Sequence, residues 1–191
     1  MAQQQSNQLA IAYIHFYVDQ LSHWQQWFEE KLNLKTFAQP AHFPHLPKQT
    51  LQLKNDNLCL LLSAPDQPTD PVAQYLKNHP CGVADVAFYT NNQNLFSVNQ
   101  TQNKIKKLTN PVNFQHTLIY QDIVPKNNQT IDHLVLNVPQ GQLQPTIDWY
   151  EQNLGFIRQQ TFHIKTKYSG LSSQVLKHPC GIQFPINQAT N

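Results

Sequence analysis

The sequence predicts an α+β fold made by repeating a β-α-β-β-β unit, with about three copies in 191 residues. Two observations carry that reading. Tyr13-Ile14-His15-Phe16-Tyr17-Val18 followed by Trp27-Phe28-Glu29-Glu30-Lys31-Leu32-Asn33-Leu34 matches Ile131-Asp132-His133-Leu134-Val135-Leu136 followed by Trp149-Tyr150-Glu151-Gln152-Asn153-Leu154-Gly155-Phe156. His15 falls opposite His133, Trp27 opposite Trp149 and Leu32 opposite Leu154, which is the fixed-offset likeness of an internal repeat. The second observation is a weaker third start, Val83-Ala84-Asp85-Val86-Ala87-Phe88, with Asp85 at the histidine position.

Each element follows from its local pattern. The His15 and His133 segments alternate polar and apolar residues as half-buried strands do. In the first unit a helix follows, on which Trp24, Trp27 and Phe28 pack against the sheet. Further strands are predicted near 34–39, 49–53 and 58–63, and His42 and His45, flanked by Pro44 and Pro47, read as a surface loop. Asp70 before Pro71 is an N-cap followed by proline at the first helical position, predicting a short helix over 71–76. The middle unit, about 83–127, is rich in amides and weakly patterned, so only its first strand is assigned. In the last unit the helix ends at Leu154-Gly155-Phe156, where Gly155 is free to take the left-handed conformation of a C-cap. Its strands are predicted near 156–165, 171–176 and 181–185.

The unit count sets the domains. One such unit makes a half-open curved sheet, and two must pair to close a cup. The first two form one domain over 1–128; 129–191 is half of a second, with an unpaired sheet edge of the kind proteins normally cover. The chain reads as cut short.

Bulk composition excludes several classes. Only 13% of residues are charged, the formal charge is +2 and the mean hydropathy is −0.51, with Asn and Gln supplying the polarity. Dispersed Lys and Arg make no basic stripe, so nucleic acid is not an expected partner. No apolar run is long enough for a bilayer and the start Met1 to Asn7 has no signal-peptide core, so a soluble cytoplasmic protein is expected. Cys59, Cys81 and Cys180 lack C-x-x-C spacing and read as free thiols. Two of them lie in matching His-Pro-Cys-Gly turns at 79–82 and 178–181. No Ser/His/Asp triad, P-loop or dinucleotide fingerprint is present.

At the Ile131-Asp132-His133 strand, the Ser169-Gly170-Leu171-Ser172-Ser173 turn and the Pro185-Ile186-Asn187 ending, the sequence resembles the 4-hydroxyphenylpyruvate dioxygenase family of the vicinal-oxygen-chelate superfamily. The first unit, Pro71 to Leu76 and Gly82 to Phe88 fit as well, so the likeness covers most of the chain. It departs in two places. Gln188-Ala189 stand where the family continues with Glu-Pro, and the family runs on into a fourth unit that supplies a second metal histidine and a metal glutamate.

The resemblance implies a non-haem Fe(II) centre of two histidines and one carboxylate. It implies conversion of 4-hydroxyphenylpyruvate and O2 to homogentisate and CO2. His133 matches the first iron ligand, and Ser173 and Asn187 match positions lining the substrate pocket; no catalytic residue beyond the metal ligand is implied. His15 and Asp85 occupy the ligand positions of the repeat, but the family's N-terminal half binds no metal. The sequence leaves other readings open: 4-hydroxymandelate synthase or another superfamily dioxygenase, a metal-free module that binds a small aromatic, or an inactive remnant. A further one is half of a split enzyme completed by a polypeptide carrying the fourth unit. A homo-oligomer is also compatible.

Overall fold

The computed structural model describes residues 7–38, 45–96, 104–125 and 131–190. In chain order the first unit contains β1 (Leu9–Tyr17), α1 (Leu21–Leu32), β2 (Lys35–Ala38), β3 (Thr50–Lys54) and β4 (Cys59–Ser63), then α2 (Pro71–Leu76). The middle unit contains β5 (Gly82–Thr90), a 3-10 turn at Gln93–Leu95, β6 (Ile105–Thr109) and β7 (Gln115–Tyr120). The last contains β8 (Leu136–Val138), α3 (Leu143–Leu154), β9 (Ile157–Lys165), β10 (Gly170–Lys177) and β11 (Gln183–Ala189). By proximity the chain forms two compact units, Ile11–Ala87 and Phe88–Asn191 with Met1–Ala10. Among the described residues no helix is long and apolar enough to cross a membrane.

Strand order is β2-β3-β4-β1-β5-β7-β6 in a seven-stranded sheet and β8-β11-β10-β9 in a four-stranded one. The first four strands of the larger sheet repeat the smaller sheet strand for strand. In each, the first strand of the unit runs parallel to its last: His15 is in register with Leu61, and His133 bridges to Gln183. The strands repeat in three dimensions, but the two histidines are offset by one row: Lys35, Lys54 and Cys59 form the row that matches Ile157, Lys177 and Gln183, so His133 stands in the first row and His15, opposite Leu61, in the second.

Helix and first hairpin repeat too. α1 ends at Asn33 (φ 51°) and α3 at Gly155 (φ 72°), both left-handed. The next residue, Leu34 or Phe156, is buried in each. Glu29 on α1 accepts from Thr36 Oγ at 2.6 Å, and Glu151 on α3 accepts from Arg158 Nε at 3.0 Å, one helix-to-strand tie in two chemistries. Asp70 caps α2 as expected, its carboxylate accepting from Ala73 N at 2.7 Å.

Four expectations need correction. A continuous strand over 131–138 is not formed: pairing consists of the bridge at His133 and then β8. Among the described residues β11 is the sole neighbour of this segment. The middle unit has, among its described residues, two strands after β5 rather than three, with the 3-10 turn in the helix place. His45 is not a bare surface residue, because its Nε2 lies 3.2 Å from the Tyr13 hydroxyl; His42 lies outside the described residues. Of the α1 aromatics Phe28 is buried, but Trp27 remains 43% exposed.

Candidate functional site

The four-stranded sheet has a helix face and an open face. Leu176, Phe184 and Ile186 are buried, and the Phe184 ring lies 4.8 Å from that of Tyr150 on α3. Gln188 belongs to this face as well: its Oε1 accepts from Leu143 N at 3.1 Å, capping the start of α3. The departure from the family pattern at Gln188 thus sits on the helix side. Alternation puts Asn187 on the other side.

Register then sorts the open face into rows. His133, Gln183, Lys177 and Ile157 make the first. Val135, Pro185 and Val175 make the second, by alternation and by the Val175–Pro185 pair. Asn137, Asn187, Ser173 and Phe162 make the third, and Ala189, Leu171 and Ile164 the fourth. All three expected site residues, His133, Ser173 and Asn187, therefore lie on this one face. Ser173 and Asn187 are cross-strand partners, and Asn187 Nδ2 donates to Asn137 Oδ1 at 3.3 Å. His133 stands two rows away, about 13 Å along the strand direction at the usual rise per residue.

His133 is presented, not packed. Its side chain is 49% exposed, and its Nδ1 lies 2.7 Å from Asp132 Oδ2. A carboxylate only accepts, so Nδ1 is the donor, and in the neutral ring Nε2 is the nitrogen with the lone pair. That is the arrangement metal-binding histidines use, one nitrogen fixed by a carboxylate and the other turned to the ion. A facial triad needs two more donors, and among the described residues no group of three His, Cys, Asp or Glu could hold a metal. The described residues thus bring at most one of the three donors of such a triad to this face.

His15, in the same frame, is only 2% exposed. Its Nε2 is 2.7 Å from Ser63 Oγ, which is 2.5 Å from Thr50 Oγ. The nitrogen that faces outward on His133 is here engaged in a buried polar chain. Burial, followed by the nearby Asp85 carboxylate, pushes the Tyr17 hydroxyl up to about 12, so the phenol stays neutral.

Three groups went unnoticed in the sequence. Asn137 is an open-face partner of Asn187, and Phe162 offers an aromatic wall beside Ser173; both were findable by carrying the alternation two residues further. The third is the buried set His116, Asn110 and Tyr150, with the Tyr150 hydroxyl 2.7 Å from His116 Nε2 and 3.3 Å from Asn110 Nδ2. Its signal was the change from Phe28 to Tyr150 at one repeat position, since a buried phenol requires a partner. A polar cavity of about 130 Å³ lies elsewhere, lined by Thr90, Asn92, Glu151, Asn153 and His178. It touches none of the open-face residues, and its size suits a few waters.

No protein-family model matches the chain. An uncharacterized protein of Synechocystis sp. is 32% identical over 157 residues, 70% of this chain and 46% of that protein. The 4-hydroxyphenylpyruvate dioxygenase of Pseudomonas aeruginosa is 39% identical over 62 residues, 32% of this chain and 17% of the enzyme. The match thus spans less than half of each relative. Among solved structures, a mutant of 4-hydroxymandelate synthase from Streptomyces coelicolor superposes with a TM-score of 0.78 at 16% identity, over 95% of this chain and 63% of that one. A catechol 2,3-dioxygenase does so with a TM-score of 0.61 at 10% identity, over 92% of this chain and 69% of that one. The repeated units and these superpositions agree: the chain has the fold of the vicinal-oxygen-chelate dioxygenases.

Proposed function

We propose that this chain is the N-terminal part of a non-haem iron dioxygenase acting on 4-hydroxyphenylpyruvate. In this reading 1–128 is a metal-free domain and 129–191 the first half of the catalytic one. The observation that carries it is the row pattern of the open face. His133 sits at one end, apolar Val135, Pro185 and Val175 in the middle, and Ser173, Asn187 and Asn137 beyond them. That sequence of surfaces fits an elongated ligand with an anionic chelating end, an aromatic ring and a polar para substituent.

His133 would hold the iron through Nε2, with Asp132 fixing the ring, and the remaining ligands come from outside the described residues. The bound iron supplies a Lewis acid and the redox chemistry of O2. The chain's own residues do the positioning. Val135, Pro185, Val175 and Phe162 exclude water around the ring, while Ser173 and Asn187 read the phenolic hydroxyl and fix which end reaches the metal. Homogentisate and CO2 are the products of this reading; 4-hydroxymandelate is the alternative, since the same rows accept the same keto acid. Metal-free capture of the aromatic acid is the other reading, favoured by the single prepared ligand.

Oxygen uptake tests the proposal, with Fe(II), ascorbate and the keto acid, on the chain alone and with a polypeptide carrying the second half of the catalytic domain. The chain alone is expected to be inactive, and the mixture active in a way that His133→Ala abolishes. Robust turnover by the isolated chain, or a complemented activity indifferent to His133→Ala, contradicts it. Metal-independent binding of the keto acid that survives His133→Ala but not Phe162→Ala identifies the capture reading instead.

A further inference from the structure

We propose that the cavity at the C-terminal end of α3 binds a small uncharged polyol, whose hydroxyls are held by His178 and by the last carbonyls of the helix. The inference rests on the fold and is independent of the dioxygenase reading. All the walls of this cavity belong to one compact unit. Its volume is about 130 Å³. A hollow of about 150 Å³ takes one benzene, so the occupant here has about six non-hydrogen atoms.

His178 supplies a fixed donor. It is buried, and its Nδ1 accepts from Cys180 N at 3.1 Å. In the neutral ring the proton therefore sits on Nε2. Nε2 lies 3.8 Å from where a Cβ on Gly155 would stand, and both residues line the cavity. The bare glycine keeps that edge of the ring open. Among the described residues no protein group takes up the Nε2 proton.

Helix α3 supplies the acceptors. Its closing backbone bonds run from Gly155 N to Glu151 O and from Phe156 N to Tyr150 O. The carbonyls of Gln152, Asn153 and Leu154 thus end the helix without an amide. Two further lining groups donate. Thr90 Oγ1 accepts from Asn92 N at 3.2 Å, which leaves its hydroxyl proton. Asn92 Oδ1 accepts from Asn94 N at 3.2 Å, which leaves its amide N–H groups. A hydroxyl both donates and accepts, so it satisfies such a mixed wall where a carboxylate or an ammonium cannot.

Charge and apolar surface narrow the class further. Glu151 lines the cavity, but Arg158 holds both its oxygens, at 3.0 and 2.8 Å. Burial pushes His178 down to about 4, so it is neutral at pH 7. An anion would meet the carbonyl end of α3, and a cation the imidazole N–H. Leu9, Leu95 and Leu154 line the cavity as well. Water has no partner against these leucines. The carbon-bound hydrogens of a polyol replace it there without loss, while the hydroxyls keep the polar bonds.

The test is titration of the full chain with glycerol, followed by the His178 ring and Gly155 amide resonances. Both should shift along a saturating curve in the millimolar range, within reach of a ligand of about six atoms. Glycerol 3-phosphate adds charge and propan-1-ol lacks the other hydroxyls, so each should bind about tenfold more weakly, the worth of one hydrogen bond. His178→Phe keeps a ring against Phe156 and removes the donor, whereas Leu95→Trp fills the cavity and leaves His178 in place. Each variant should keep its circular dichroism spectrum and weaken glycerol about tenfold, read at Gly155. A shift that stays linear up to molar glycerol, equal binding of glycerol 3-phosphate or propan-1-ol, or saturation indifferent to either variant overturns the proposal.

Discussion

The first and last units use one frame for opposite ends. Among the described residues β1 is an inner strand and β8 an edge strand, and in each unit a histidine pairs with the parallel last strand, His15 one row further along than His133. Ser63 receives His15 on that strand and takes up its Nε2. Among the described residues no side chain takes up Nε2 of His133, while Asp132 holds its other nitrogen. Backbone topology puts an imidazole beside the parallel last strand, and a few neighbours decide whether its second nitrogen is engaged in a buried hydrogen bond or left on an exposed ring.

The largest expected effects break the buried side of that comparison. His15→Ala leaves the Ser63–Thr50 pair short of a partner and opens a cavity, at a cost of about 2–4 kcal/mol. His133→Ala, on an exposed side chain, should stay within about 0.5 kcal/mol. Urea midpoints of the two variants measure the contrast. Tyr150→Phe strips the hydroxyl from His116 and Asn110 and should cost about 1–3 kcal/mol. The reverse change in the first unit, Phe28→Tyr, buries a phenol among Val18, Leu34 and Leu62 and should destabilise by a similar about 1–3 kcal/mol.

Next in size is a pH effect that separates the two His-Pro-Cys-Gly turns. His79 is exposed and stacked on Tyr75, ring centroids 4.3 Å apart. His178 is 3% exposed, packed against Phe156, and burial pushes it down to about 4 from 6.5. Between those values the unfolded chain binds a proton that the folded chain does not, so stability rises with pH there. The contribution is complete above pH 6.5 and is lost as pH falls toward 4, amounting to roughly 3 kcal/mol over the full shift. Thermal melts from pH 7 to pH 4 should show that slope in the wild type and in His79→Ala, and a flatter one in His178→Phe.

The smallest expected difference lies in the helix-to-strand ties. Arg158 joins Glu151 and Asp148 on an exposed flank, so Arg158→Ala should cost about 0.5–1 kcal/mol and the cost should shrink in salt. Thr36→Val in the first unit should cost about as much and not respond to salt. Denaturant midpoints in low and high salt distinguish them.

Much of this is legible in the sequence. The stop at Gly155 and the cap at Asp70 are local signals, and each appears where it was read; the alternation around His133 yields a bridge and the short β8 in place of a continuous strand. The open-face row of Ser173 and Asn187 follows once two strands are paired. What stayed hidden depends on partners distant in sequence. The same tetrapeptide buries His178 and exposes His79, because Phe156 covers one turn and solvent the other. Trp27 is 43% exposed although its pattern is that of a packing residue, and among the described residues β8 has one neighbour where β1 has two.

The central proposal is that the third unit, and not the first, presents its histidine as a metal ligand. Titration of the full chain with Co(II), followed by imidazole proton and nitrogen resonances, tests it most directly. Paramagnetic shifts and broadening should appear first at His133, through Nε2, disappear in His133→Ala, and leave His15 unchanged. Perturbation of His15 at the same metal concentration, or of exposed His23 and His163 as strongly as His133, contradicts the account.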